Sequence, residues 1–310
     1  MATEQKRFLL IMNSGFFDDF KNVWNRHDNG LIQLIIINVI IFVGFGIINV
    51  LTLWSRLGSF EARFVMPFMA LPSNVEDFIF KPWTLISYGF IHHSFLHILF
   101  NMLFLYWFGK LIKEYLGSQK VLSIFFLGIM AGGLLYILLY NFLPLFQDSV
   151  GESRLLGASA GVFSIVVGAA TFMPNYTLML LFIGPVRIKY IAIFYVLLSF
   201  LQSAGANAGG EIAHLGGALM GFIYIKQLQK GNDWGTPIAA FMNWVKSFFI
   251  RQPKIKVSYS RKAKSNAKAS ANVSRGEQDE IDTILDKISE SGYESLSSDE
   301  KQKLFNASKK

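Results

Sequence analysis

Apolar residues gather into six runs, at 31–54, 94–115, 119–146, 157–174, 189–203 and 211–228, near or above the roughly 18 residues that cross a bilayer as a helix. The pattern predicts an all-α, polytopic membrane bundle of six transmembrane helices. The long connection 55–93 differs from an open linker, because FVMPFMALP and FIFKPWTLISYGFI are too apolar for water and too short to span. It is expected to lie half in one leaflet. Between the fourth and fifth runs, Gly184-Pro185 breaks a continuous apolar stretch and Arg187 and Lys189 follow at once. That predicts a membrane-surface segment before the break and the fifth helix after it. Beyond 228, RQPKIKVSYSRKAKSNAKASANVSRG has little to bury and reads as part of a disordered basic linker over 229–275. Helical spacing then returns, with Ile281, Ile284, Leu285 and Ile288 on one face and Gly292 placed to end that helix. Ser297 followed by Glu300 is a capping-box pattern for a second helix carrying Leu304 and Phe305, so 276–310 is predicted to form a small helical hairpin.

Composition agrees with this reading, at 52% hydrophobic and 16% charged residues. The net charge of +8 suggests nucleic acid only until its placement is considered, since 16 of the 29 Lys and Arg lie from Lys226 onward. Lys110, Lys113, Lys120, Arg187 and Lys189 fall on the side of both termini, against Arg56, Arg63, Lys81 and Arg154 on the other. The positive-inside rule then puts both termini, including the segment 1–29, in the cytoplasm and the loop 55–93 outside. The absence of cysteine excludes disulfides, Cys-ligated zinc, iron–sulfur clusters and a thiol nucleophile. Residues 1–30 hold acids and no long apolar core, so no cleavable signal peptide is expected.

Four polar residues inside the runs need a reason. His97 and Asn101 are four apart on the second helix and share one face. Taken singly, such a pair usually bonds a neighbouring helix, but intramembrane polar groups also mark cavities and partners. Ser159 lies between Gly157 and Gly161, and His214 precedes Gly217 and Gly221; both glycine pairs have the small-xxx-small spacing that lets helices approach closely. If the two glycine faces pack, Ser159 and His214 meet. The fourth span rises only about 26 Å between Gly157 and Met173, short of a hydrocarbon core of about 30 Å. Its start can therefore sink below the surface, where free backbone N–H groups and the positive end of the helix dipole favour a developing anion. The chemistry that follows is acyl transfer by a serine activated by histidine, with His97, Asn101 and the Ser159 N–H as oxyanion donors. No Asp or Glu stands out to orient the imidazole, so a Ser-His dyad is expected rather than a triad.

In that order, HHSFLHILFN, Gly157-Ala158-Ser159 and the Ala-His-x-x-Gly-x-x-x-Gly pattern at Ala213 to Gly221 resemble the rhomboid intramembrane serine proteases over roughly residues 30 to 228. The resemblance implies a six-helix protease domain at 30–228 that hydrolyses peptide bonds in or near transmembrane helices, without metal or cofactor. Its partners would be transmembrane-helix substrates and the lipid bilayer, not nucleic acid. It implies Ser159 as nucleophile, His214 as base, His97 and Asn101 at the oxyanion, and Phe163 stacked beneath the imidazole, with Gly157, Gly161, Gly217 and Gly221 in support. This chain departs from the pattern at Ala160, where many members have glycine, and at Thr84, where an arginine often follows the tryptophan. The C-terminal segment is similar to tails of some bacterial members, notably of the Bacteroidetes group, which implies a bacterial cytoplasmic (inner) membrane. Three other readings compete. A catalytically inactive rhomboid-like escort would usually lack the serine or the histidine. A proton-carrying transporter predicts repeats or mid-membrane acids, and a metal site at His92, His93, His97 and His214 has no His-Glu-x-x-His motif.

Overall fold

In the computed structural model, residues 21–24, 26, 28–180, 183–249 and 274–307 are described, and the chain forms two units, 1–251 and 252–310. The first unit is built on six helices: α1 (Gly30–Trp54), α2 (Phe95–Leu116), α3 (Ser118–Phe142), α4 (Ser159–Phe172), α5 (Ile188–Gln202) and α6 (Ala208–Gln229). The fold is an all-α membrane bundle, as the pattern of apolar runs predicts. α1, α2 and α3 are each long and apolar enough to cross a bilayer, while α4 and α5 are shorter apolar helices. At 14 residues, α4 rises only about 21 Å, so its two ends cannot both reach the edges of a hydrocarbon core of about 30 Å.

Helix burial follows from which side chains have a partner inside the bundle. α1 inserts Leu31 and Leu34 into the core and leaves Val39, Ile40, Val43 and Ile47 facing outward, as a helix apolar all round does against lipid. Its start is held by Asp28, whose carboxylate accepts from Ser118 N (2.8 Å) and whose carbonyl accepts from Ser118 Oγ (2.6 Å). Gly117, at φ +82°, turns α2 directly into α3 with no loop between them.

The centre is a seam of α3, α4 and α6 in which side chains are small enough for backbones to touch. A Cβ at Gly217 would lie 2.0 Å from Ala160 O, and one at Gly221 would lie 2.1 Å from Ser164 O. On α3, a Cβ at Gly132 would fall 2.6 Å from Ala213 O and 2.7 Å from the Ala160 methyl. The sequence expectation is corrected here: the glycines of α6 pack on Ala160 and Ser164, whereas Gly161 faces Phe125 and Ile129 of α3 and Gly157 faces His97. Fully buried Phe125, Ile129, Tyr136, Ile165 and Tyr224 fill the layers around this seam.

The connection from α1 to α2 folds into short helical turns at 61–69, 75–80 and 84–87, with Ile79, Phe80 and Trp83 exposed. That apolar surface fits the expected half-embedded loop. β1 (Leu71–Pro72) pairs antiparallel with β2 (Arg154–Leu155), Leu71 opposite Leu155, which ties the loop to the segment entering α4. Tyr88 adds two further ties: its hydroxyl donates to Ile129 O (2.6 Å) and its carbonyl accepts from Gly157 N (2.9 Å). Thr84 is buried and donates to Lys81 O at 2.6 Å, closing a turn. Between α4 and α5 lies a hairpin of β3 (Thr177–Leu180) and β4 (Gly184–Arg187), with Gly184 at φ +93°. The break before α5 falls where expected, but the segment ahead of it is a strand.

Within the stretch read as a basic linker, Thr236–Phe249 forms a further helix, α7; Pro237 at its first turn suits a helix start. Its attachment is a polar knot. Asp233 bonds Lys120 Nζ, accepts from Tyr224 OH (2.8 Å) and accepts from Gly235 N (3.0 Å). Within that stretch, residues 250–273 lie outside the described residues. In the second unit, α8 (Ser274–Ser291) ends at Gly292, φ +78°, and α9 (Ser298–Ala307) begins with the predicted capping box. Ser297 N donates to Glu300 Oε2 (2.7 Å) and Glu300 N to Ser297 Oγ (3.4 Å). Lys287, with Ser297, holds the Glu300 carboxyl down at about 2. Ile284 and Leu296 are buried in this unit; the Phe305 side chain lies outside the described set.

Gly217→Ala forces a methyl into a carbonyl and is expected to lower stability by about 1–3 kcal/mol. Gly44→Ala on α1, with open space around it, leaves the thermal midpoint in detergent unchanged or raises it. For Asp233, burial alone would raise the pKa, but Lys120, Tyr224 and the Gly235 N–H hold it below the usual carboxylate range. Its stabilisation is therefore present at neutral pH and lost as pH falls through that lowered value. Asp233→Asn is expected to lower the midpoint at pH 7, by roughly 2–5 °C, with the gap to wild type closing under strong acid.

Candidate active site

Each helix contributes to the site through a local feature of its own. Ser159 is the first residue of α4, so its N–H is one of the unpaired donors of a helix start. It gets there because Gly157, at φ +118°, turns the chain sharply after β2 while its N–H is held by Tyr88 O. His214 sits one turn before Gly217 on α6, facing the same neighbour as that glycine. The close seam therefore brings His214 Nε2 to 2.7 Å from Ser159 Oγ. Phe163, one turn after the serine, lies flat against the His214 ring, 4.2 Å between centroids and 9° between planes. Tyr195 of α5 meets Phe163 edge-on at 6.1 Å.

His97 and Asn101 reach the same place from α2. Ser94 caps that helix, its hydroxyl accepting from His97 N. A Cβ at Gly157 would lie 2.8 Å from His97 Nε2 and 3.6 Å from Ser159 Oγ, so imidazole and hydroxyl flank one bare stretch of backbone. The buried Asn101 amide donates one N–H to His97 O at 2.8 Å and keeps a second for another acceptor. His97, Asn101, Ser159 and His214 all line one cavity of about 820 Å³, walled on its apolar side by Phe100, Phe104 and Val162. His92 is buried edge-on against His97, at 5.1 Å between rings, and His93 lines the cavity with its Nδ1 3.7 Å from a Glu61 carboxylate oxygen. Among the described residues, no three His, Asp or Glu side chains converge to hold a metal.

The absence of an acid beside the imidazole is corrected. Glu211 Oε2 lies 3.2 Å from His214 Nδ1, and Ser199 Oγ on α5 lies 3.1 Å from the same nitrogen. Glu211 stands at the first residue of the run 211–228 and reads there as a helix-start acid. Its position three before His214 places both on one face and was the available signal. Ser199 carries no such signal, because nothing in the sequence gives the azimuth of α5. Ala160 has a spatial reason: its methyl occupies the room left by Gly132.

Residues 80–230 match the family model described as Rhomboid domain, a segment holding every one of these site residues. The chain carries a rhomboid domain. This rhomboid domain is 30% identical over 158 residues to RHOMBOID-like protein 12, mitochondrial, of Arabidopsis thaliana, covering 48% of this chain and 47% of that protein. It is 32% identical over 171 residues to Rhomboid protein 1, mitochondrial, of Saccharomyces cerevisiae, covering 52% and 45%. It is also 30% identical over 105 residues to Rhomboid protease GlpG of Yersinia pestis, covering 34% and 32%. The chain thus spans about half the length of the first two relatives. Residues 272–310 match a second model, described as a family of unknown function (DUF6576).

Gly157 is the most constrained position of the rhomboid site, needing both a positive φ and room for His97. Gly157→Ala is expected to cost about 1–3 kcal/mol through backbone strain, measured as a lower thermal midpoint.

Proposed function

We propose that this rhomboid is an active intramembrane serine endopeptidase, hydrolysing peptide bonds in or near transmembrane helices. The observation that carries the reading is the 2.7 Å contact between His214 Nε2 and Ser159 Oγ at a helix start that opens into a cavity. A neutral imidazole at that distance accepts the hydroxyl proton as Oγ attacks the scissile carbonyl. The oxyanion so formed is held by the Ser159 N–H with His97 and Asn101 side-chain donors. Collapse breaks the C–N bond, and His214 passes its proton to the leaving amine. Water then attacks the acyl-serine, giving a proton to Nε2; the ester C–O bond breaks and that proton returns to Oγ. Every bond change uses groups of the chain and one water, so the chemistry needs no cofactor.

The proposed substrate is a membrane-spanning protein whose helix unwinds locally, because the cavity must seat an extended segment beside Ser159. The proposed setting is a bacterial cytoplasmic membrane with both termini on the cytoplasmic side. Lys110, Lys113, Lys120, Lys189 and Lys226 at the end of the bundle away from Ser159 support that orientation. The second unit is proposed to be a cytoplasmic appendage.

A fluorophosphonate probe tests the activated serine directly. Wild type, folded in detergent and again in lipid, is expected to label at Ser159, with Ser159→Ala and His214→Ala unlabelled. A folded wild type that stays unlabelled in both settings overturns the proposal in favour of a non-proteolytic escort.

A further inference from the structure

We propose that Glu211, assisted by Ser199, is a positioning residue that holds the His214 imidazole in its working tautomer, so that the site acts as a Glu-His-Ser triad rather than a bare dyad. This rests on the proposed protease reading and deepens it.

The geometry leaves little choice of proton placement. Ser159 can donate its hydroxyl proton to His214 only if Nε2 is unprotonated, and a neutral imidazole must then carry its hydrogen on Nδ1. Both groups within reach of Nδ1 accept: Glu211 Oε2 at 3.2 Å and Ser199 Oγ at 3.1 Å. An ionised carboxylate can only accept, so it selects the Nδ1–H tautomer, while a hydroxyl alone accepts or donates and selects nothing. Glu211 and His214 are both largely enclosed, at 12% and 14% side-chain exposure. An ionisable side chain enclosed in a membrane bundle without a task is costly.

Ser199 gives an independent indication. α5 buries only Ile188, Ala192 and Ser199, and turns Ile193, Phe194, Leu197 and Leu201 outward. A helix that hides so few side chains nevertheless hides a hydroxyl, and that hydroxyl meets His214. The stacked Phe163 ring closes one face of the imidazole, so rotation about the Cβ–Cγ bond is resisted by packing while the edge is read by Glu211. When the imidazole takes the Ser159 proton, the positive charge forms beside a carboxylate, and no proton needs to leave Nδ1.

The experiment compares wild type, Glu211→Gln, Glu211→Asp and Ser199→Ala by fluorophosphonate labelling rate, thermal midpoint and imidazole 15N chemical shifts in histidine-labelled protein. Gln keeps the size of Glu but can present its amide N–H to Nδ1, favouring the wrong tautomer. Glu211→Gln is expected to label more slowly, by up to about 10,000-fold, with an unchanged midpoint and His214 moved away from the Nδ1–H signature. Glu211→Asp restores much of the rate, and Ser199→Ala loses less than Glu211→Gln. Wild-type rate with the wild-type 15N signature in Glu211→Gln overturns the inference, as does a Ser199→Ala loss larger than that of Glu211→Gln. A rate loss matched by a fallen midpoint with the tautomer intact also overturns it, by showing a merely structural glutamate. Failure of wild type itself to label strikes the protease reading, a separate outcome.

Discussion

The contact of Gly217 and Gly221 with the carbonyls of Ala160 and Ser164 fixes the distances on which the rest of the site depends. In lipid there is no hydrophobic gain from pressing two apolar helices together, so association relies on close packing. Two missing Cβ atoms let α6 lie directly on α4. Because Ser159 adjoins Ala160 and His214 is one turn from Gly217, the register of that packing is also the register of hydroxyl and imidazole. Gly132 admits α3 to the same seam, so neither partner can slide without displacing a third helix.

Polar groups in the bundle are sorted to its two ends. At one end are His97, Asn101, Ser159 and His214 around the cavity, with Ser199 and Glu211 behind His214; at the other, Asp28 with Ser118 and Asp233 with Lys120 and Tyr224 hold chain connections in place. The layers between are mainly apolar or small. This separation lets the cavity end be wet and roomy while stability is supplied elsewhere.

Much of this was legible in the sequence, because length and period are linear properties. The apolar runs became helices, Gly292 ended α8, Ser297 and Glu300 formed their box, and Phe163 lies under the imidazole as the resemblance implied. What escaped was azimuthal. Small residues at four-residue spacing announce a packing face but not its partner, so Gly157 and Gly161 were paired with α6 although they face His97 and Phe125. Glu211 was hidden by its place at the edge of an apolar run, where an acid already has a reason to be. α7 was lost beside strongly basic sequence, even though Thr236-Pro237 marks its start.

The hydrogen bond from Gly157 N–H to Tyr88 O joins the α1–α2 connection to the segment entering α4. With Tyr88 anchored to Ile129 and β1 laced to β2, the loop is a bracket bolted to the bundle rather than a cover laid over it. Its Ile79, Phe80 and Trp83 stay exposed, free of any packing duty to the bundle. The position of Ser159 is thereby referenced to this loop, and a short α4 is free of having to set it.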